Sequence, residues 1–178
     1  MDYFIADPHF YDTKISLLAD RPFKSVDEMN ARMILNWNKK VKFNDRVFLL
    51  GDVTHFRNDE YGDKEHRKSL VKAIIEQLNG TIILIKGNHD IWLSNDEWKE
   101  IGFDEVIDFP IIYQNFMILS HDPLFLNTHT PFINIFGHVH SNPIYTDYTA
   151  YSYCVSVERI NYTPISFDEM KTNIQMVR

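Results

Sequence analysis

Ile82-Ile83-Leu84-Ile85-Lys86-Gly87-Asn88-His89-Asp90 is the stretch on which the fold turns: a short β-branched apolar run that stops in polar residues opened by a glycine. The run is too brief and too branched for a helix and reads as a buried strand. The polar residues after it fall where a loop leaves the carboxyl end of that strand. Four further places repeat the pattern. Tyr3 to Ala6 leads into Asp7-Pro8-His9, Arg46 to Leu50 into Gly51-Asp52, Phe116 to Leu119 into Ser120-His121, and Asn134 to Phe136 into Gly137-His138-Val139-His140. In open α/β sheets the loops beyond the strand ends converge, so five motifs can meet at one point.

Helical patterns lie between the first strands. Val26, Met29, Met33 and Trp37 share one face, and Ser25 with Glu28 forms a capping-box pattern ahead of them. Leu70, Val71, Ile74, Ile75 and Leu78 mark a second helix, expected to end at Asn79-Gly80. Ser94 with Glu97, and Ser166 with Glu169, open two shorter helices. After about residue 104 the pattern turns to strands with short connections: Glu105 to Phe109, Ile111 to Gln114, Phe116 to Leu119, Asn134 to Phe136 and Ser152 to Val157. The expectation is an α/β (α+β) chain, with βαβ units first, antiparallel pairs later, and a core of two mixed β-sheets flanked by helices.

The 178 residues, 44% hydrophobic and 24% charged, suit one domain over 1–178, and no linker or internal repeat divides them. A net charge of −7 argues against gripping nucleic-acid backbones by bulk charge, so duplex binding is not expected. Cys154, the single cysteine, excludes an internal disulfide framework and fits a reducing compartment. The start Met1 to Asp7 has no basic n-region with a long apolar core, and no run reaches membrane length, so a cytoplasmic protein without membrane contact is expected.

Five of the eight histidines fall inside the motifs, beside Asp7, Asp52 and Asn88. That donor set suits two divalent metal ions in the arrangement that hydrolyses phosphate esters. Asp7 and His9 are one residue apart, as are His138 and His140, so each pair can face one side of an extended segment. Glycines at 51, 87 and 137 stand immediately before donor residues, where a sharp turn or a close backbone approach is needed.

The ordered set Asp-x-His, Gly-Asp, Gly-Asn-His-Asp, His and Gly-His-x-His, from residue 7 to residue 140, resembles the calcineurin-like metallophosphoesterases. Asn36-Trp37-Asn38 through Gly51-Asp52, and Tyr162-Thr163-Pro164-Ile165-Ser166, are similar to the small single-domain members of bacteria and phages. The resemblance implies a four-layer αββα sandwich. It implies that Asp7, His9 and His140 bind a first metal, that Asn88, His121 and His138 bind a second, and that Asp52 bridges them. A shared anionic ligand also follows from the repulsion of two cations about 3.5–4 Å apart. Without a thiolate, such a set suits manganese, iron, nickel or zinc rather than calcium or magnesium, with manganese or iron favoured. The implied mechanism is in-line attack by a hydroxide held between the metals, with His89, which is not assigned to a metal and so can be protonated near neutral pH, as general acid toward the leaving alkoxide.

Many family members continue Gly-Asp-x-x-Asp, and the second Asp orients the catalytic histidine; here His55 holds that place. Either another acid such as Asp90 takes over the orienting role or the general acid works less efficiently, and His55 is then either a substrate contact or an exposed loop residue beside Phe56 and Arg57. Asp122 is a turn residue or a partner that fixes an imidazole tautomer, while His66 and His129 read as surface residues. Phe10-Tyr11, Phe56-Arg57 and Phe125-Leu126 are candidate walls of an open site; Arg57 reads first as a solvated cation and second as a phosphate contact, and Tyr145, Tyr148, Tyr151 and Tyr153 read first as hairpin packing or an oligomer contact and second as a platform for stacking a nucleobase. A small phosphodiester, such as a cyclic nucleotide, is the leading substrate, since no arginine cluster clamps the second charge of a monoester. Phosphomonoesterase activity and nuclease action at exposed nucleic-acid ends are the alternatives. A non-catalytic scaffold is disfavoured because every expected donor is present.

Overall fold

Strands β1 (Asp2–Ile5), β2 (Arg46–Leu49), β3 (Thr81–Ile85) and β4 (Glu105–Ile107) pair in parallel, and β9 (Ile165–Ser166) joins β1 antiparallel, giving the order β4-β3-β2-β1-β9. The computed structural model describes residues 1–57, 60–127, 129–145 and 151–176. Helices α2 (Val26–Lys40), α3 (Lys64–Ile75) and α4 (Asn95–Ile101) connect the parallel strands, a short α1 (Ile15–Leu18) follows β1, and α5 (Phe167–Met176) closes the described chain.

The second sheet has the order β5 (Ile111–Tyr113), β6 (Met117–Leu119), β7 (Ile133–Phe136) and β8 (Ser152–Cys154). Only its β5–β6 pair is antiparallel; β6–β7 and β7–β8 are parallel, contrary to the expected run of antiparallel pairs. The reason lies in the connections. Those after β6 and β7, residues 120–132 and 137–151, are long enough to bring the chain back to the same end of the sheet, and both carry motif residues. Two mixed sheets with flanking helices are therefore the architecture, as expected.

The period-two pattern of the first sheet explains its two cores. Tyr3, Ile5, Val47, Leu49, Ile82 and Leu84 pack against Met29, Met33 and Trp37 of α2, Val71, Ile74 and Ile75 of α3, and Trp98 and Ile101 of α4. Phe4, Phe48, Ile83 and Ile85 point the other way, onto Met117, Leu119, Ile133, Ile135 and Tyr153 of the second sheet and Met170 and Ile174 of α5. Trp98 is fully buried and donates its indole N–H to the Asp90 carbonyl (2.9 Å), which pins the first core to the loop after β3.

Capping follows the sequence with one exception. Ser94 and Glu97 form the full reciprocal box, and Ser166 and Glu169 exchange the same two bonds. Ser25 accepts from the Glu28 amide, but the Glu28 carboxylate takes the Lys24 amide instead. Helix α3 ends at Ile75 rather than at Asn79-Gly80, because α2 claims Asn79: its carbonyl accepts the Trp37 indole N–H and its amide donates to Asn38, both at 2.9 Å. Among the described residues no helix is long and apolar enough to cross a membrane.

Candidate metal centre

All five motifs lie at the carboxyl ends of β1, β2, β3, β6 and β7, and hydrogen bonds lace their loops together. Asp7 N, His9 N and Phe10 N donate to the carbonyls of Gly51, Asp52 and Val53 (2.9–3.1 Å), so the β1 and β2 loops run side by side. The Asp90 carboxylate accepts from the amides of Asp52 and Gly87 (both 2.8 Å) and of Val53 (3.0 Å), tying the β2 loop to the β3 loop. The Asp7 carboxylate accepts from His138 N (2.8 and 3.0 Å), and Gly137 N donates to the His121 carbonyl (2.9 Å). The two sheets join at the same place through Ala6 N to Val155 O (2.9 Å) and Val157 N to Ala6 O (3.1 Å).

Asp7 and His9 do not sit on an extended segment, as their spacing had suggested. Asp7, His9, Asp52, His138 and His140 all have φ between 49° and 68°. Left-handed backbone costs a non-glycine residue about 1–2 kcal/mol, and it persists here because the interloop hydrogen bonds hold it. The expected roles of the glycines hold. Gly51 has φ +82°, and a Cβ there would lie 2.5 Å from His121 Nδ1; a Cβ on Gly87 would lie 2.4 Å from Asp52 Oδ1.

One donor cluster forms around His121. Its Nδ1 lies 2.9 Å from the Leu50 carbonyl, an acceptor, so the proton belongs on Nδ1 and the Nε2 lone pair faces inward. His121 Nε2, Asn88 Oδ1 and His138 Nδ1 stand 3.0 Å from one another, and Asp52 Oδ2 is 3.5 Å from His121 Nε2. Donors bonded to one cation at about 2.1 Å would be separated by roughly 3.0–3.4 Å, so these residues fit a divalent ion. Asp7, His9 and His140 form a second group whose donor atoms lie within 4.8 Å of one another. His9 Nε2 is 3.4 Å from the same Asp52 Oδ2, and among the described residues neither ring nitrogen of buried His9 makes a well-aligned hydrogen bond, its neighbours being the carboxylates of Asp12 and Asp52.

The electrostatics match this crowding. Burial opposes charge on Asp52, yet His9, His121 and the His89 amide hold its carboxyl well below the usual carboxylate range. Burial also opposes charge on His9, but Asp12 and Asp52 draw its imidazole up to about 9. Burial pushes the Asp7 carboxyl up.

His89 borders the two clusters, 5.4 Å ring to ring from His9. Burial, together with His55 and His9, pushes its imidazole down to about 4. His55 stacks on it at 3.9 Å and 21°. Asp90 is spent on three backbone amides, so it does not orient the His89 ring. A buried acid that the motifs did not reveal, Asp12, stands 3.3 Å from His9 Nδ1 and 3.6 Å from His55 Nδ1, and takes two hydrogen bonds from Arg57 (2.7 and 3.0 Å). Arg57 is thus committed to Asp12. Asp122 is exposed, its carboxylate 3.7 Å from His138 Nδ1, beyond hydrogen-bond reach, and its carbonyl accepts the Ser120 hydroxyl. His66 and His129 are exposed, as expected.

The cleft over the clusters holds about 610 Å³. Ile15, Leu18 and Ala19 of the α1 segment form one wall, and the stretch from Val139 to Pro143 with Tyr145 forms the other, while Arg57 and His89 line it between them. The walls expected at Phe10-Tyr11, Phe56 and Phe125-Leu126 are elsewhere. Phe10 is buried in the core, Tyr11 and Phe56 pack on each other, and Phe125 is 99% exposed outside the cleft. Of the three described tyrosines only Tyr145 borders the cleft; Tyr153 belongs to the second core and Tyr151 is half-buried away from the cleft lining, while Tyr148 lies outside the described residues.

A family model for the calcineurin-like phosphoesterases matches residues 3–174. The uncharacterized protein MJ1445 of Methanocaldococcus jannaschii is 32% identical over 170 residues, 93% of this chain and 86% of that one. Among solved structures, the protein of unknown function AQ665 from Aquifex aeolicus has a TM-score of 0.68 at 28% identity, covering 97% of this chain and 98% of its own. The nuclease MPE of Pseudomonas putida has a TM-score of 0.53 at 20% identity, covering 78% of this chain and 61% of its own, and shares the fold.

Proposed function

The chain belongs to the calcineurin-like phosphoesterases, hydrolases of phosphate esters, and from that premise we propose that it is a dinuclear-metal phosphodiesterase for small diesters, cyclic nucleotides among them. The observation that carries the reading is the position of Asp52 Oδ2, 3.4 Å from His9 Nε2 and 3.5 Å from His121 Nε2, between two donor groups. In this reading Asp7, His9 and His140 hold one cation, Asn88, His121 and His138 the other, and Asp52 serves both. Two bound cations, manganese or iron by the donor chemistry, supply Lewis acidity toward phosphoryl oxygens and a more acidic water.

The remaining chemistry belongs to the side chains. His89 faces the cleft beside both groups and delivers the proton to the leaving alkoxide; an anionic phosphate next to the ring raises the proton affinity that burial depresses. His55 supports that ring by stacking on it. Because Asp12 already holds Arg57, the described cleft residues offer no uncommitted arginine or lysine for the second charge of a monoester, which favours the diester. We read residues 1–178 as one domain, and the lone buried thiol of Cys154 supports a cytoplasmic setting.

The test is hydrolysis of bis-p-nitrophenyl phosphate beside p-nitrophenyl phosphate by metal-stripped protein reloaded with Mn²⁺, with Asp52→Asn as control. We expect Mn²⁺-dependent turnover that favours the diester and disappears in the control. Preference for the monoester would move the reading to a phosphomonoesterase, and no turnover of either ester with two ions bound would overturn it.

A further inference from the structure

Behind the first donor group lies a buried ionic network that the motifs do not include. Glu158 sits in the 3₁₀ turn Val157–Arg159 that follows β8, with its side chain 5% exposed. Its Oε1 is 3.0 Å from His140 Nδ1, 2.8 Å from Arg21 Nε and 2.7 Å from an Arg21 terminal nitrogen. Arg21, whose side chain is fully buried, also donates to the carbonyls of Asp7 (2.7 Å) and Pro8 (2.8 Å). The adjacent Arg159 donates to the carbonyls of His140 (2.6 Å), Asn142 (3.0 Å) and Tyr145. Burying an ion pair stabilises a fold little, since desolvation offsets the attraction, so the network's use lies in what it touches.

We propose that Glu158, anchored by Arg21, is the positioning residue of the first metal group. A carboxylate at Nδ1 fixes His140 as the Nδ1–H tautomer and leaves Nε2 as its donor atom, while Arg21 ties the Asp7-Pro8 backbone to the same carboxylate. His121 in the second group is held in the same way by the neutral carbonyl of Leu50. Loss of charge at Glu158 therefore weakens the first group and spares the second. The inference rests on the metal reading of the site proposed above.

Glu158→Gln keeps the shape and an accepting oxygen but removes the charge. Mn²⁺ titration of metal-stripped protein, by calorimetry and electron paramagnetic resonance, should give two ions in the wild type. In the variant one ion should bind about 10–100-fold more weakly and the other unchanged. Nitrogen-resolved NMR of the metal-free proteins should show the His140 Nδ1–H form dominant in the wild type and mixed tautomers in the variant. Because the substitution leaves Arg21 buried without its counter-ion, the doubly neutral Arg21→Met, Glu158→Gln protein is measured beside it. A positioning role leaves one ion weakly bound even where this pair restores the melting temperature; recovery of stability and affinity together would reduce Glu158 to a structural part and overturn the proposal. Two ions bound as in the wild type by Glu158→Gln would overturn it as well. A wild type that binds no Mn²⁺ would overturn the metal reading beneath it.

Discussion

Substituting alanine for Gly87 probes the closeness on which the centre depends. A Cβ at this position would lie 2.4 Å from Asp52 Oδ1, 2.8 Å from Asp52 N and 2.8 Å from His121 Cε1, where ordinary contact begins at 3.4 Å. The backbone nitrogen cannot retreat, because the Asp90 carboxylate holds it at 2.8 Å. The Asp52 carboxylate must therefore swing away by about 1 Å, giving up its hydrogen bond from the His89 amide. Overpacking of this kind costs about 1–3 kcal/mol. At roughly 2–4 °C per kcal/mol for a chain of this size, the metal-free protein should melt about 2–12 °C lower. Metal-ligand distances tolerate only about 0.2 Å, so under the proposed dinuclear reading an Asp52 displaced by 1 Å would serve neither donor group, and Mn²⁺ stoichiometry by calorimetry should fall from two to one or fewer. Gly62→Ala is the control: its φ is +70° and its nearest neighbours are 3.8 Å away, so it should cost about 1 kcal/mol through backbone strain and leave metal binding alone. A Gly87→Ala protein with the wild-type melting temperature and two tightly bound ions would refute the close-approach reasoning.

Exchange of His89 for Asn should lower diester turnover by about 10²–10⁴-fold while Mn²⁺ stoichiometry stays at two, since the Asp52 contact uses the His89 backbone amide rather than the ring. Undiminished turnover would remove the general-acid role. At Glu169, burial opposes charge but Lys40 and Ser166 draw the carboxyl from 4.5 down to about 2. A depressed carboxyl stabilises the folded chain above pH 4.5, and that contribution is lost as pH falls toward 2. Wild type should therefore melt above Glu169→Gln at pH 7, with the gap closing by pH 2 and narrowing in salt because half of the side chain is exposed. An equal gap at both pH values would show that the charge is not responsible.

Much of the architecture is legible in local sequence. Ser94 and Glu97 cap a helix through bonds between residues three apart, and Ile82 to Ile85 make a buried strand by their own branching. Such features rest on neighbours within one turn. The pairing of the second sheet was less legible, because direction depends on how long loops return, and residues 120–132 and 137–151 carry no periodic signal of their own. The cleft walls are not legible in the sequence for a related reason: aromatic residues such as Phe10 and Tyr11 are as useful to a core as to a rim, and only packing distinguishes them. Asp12 is an unremarkable acid in sequence. It becomes a hub only because Arg57, His55 and His9 reach it in space.

Residue order alone sets which groups stand at the strand ends: Asp7, His9, Asp52, Asn88, His89, His121, His138 and His140 follow apolar runs, and strand ends converge in such sheets. How each group is presented depends on the folded chain. The free nitrogen of His121 is selected by the carbonyl of Leu50, 71 residues away, and that of His140 by a carboxylate tied to Arg21 across 137 residues. Left-handed backbone at five of these residues is likewise held by hydrogen bonds between loops. Residue type sets what an atom can donate or accept, whereas the direction in which it does so depends on partners that only the folded chain brings within 3 Å.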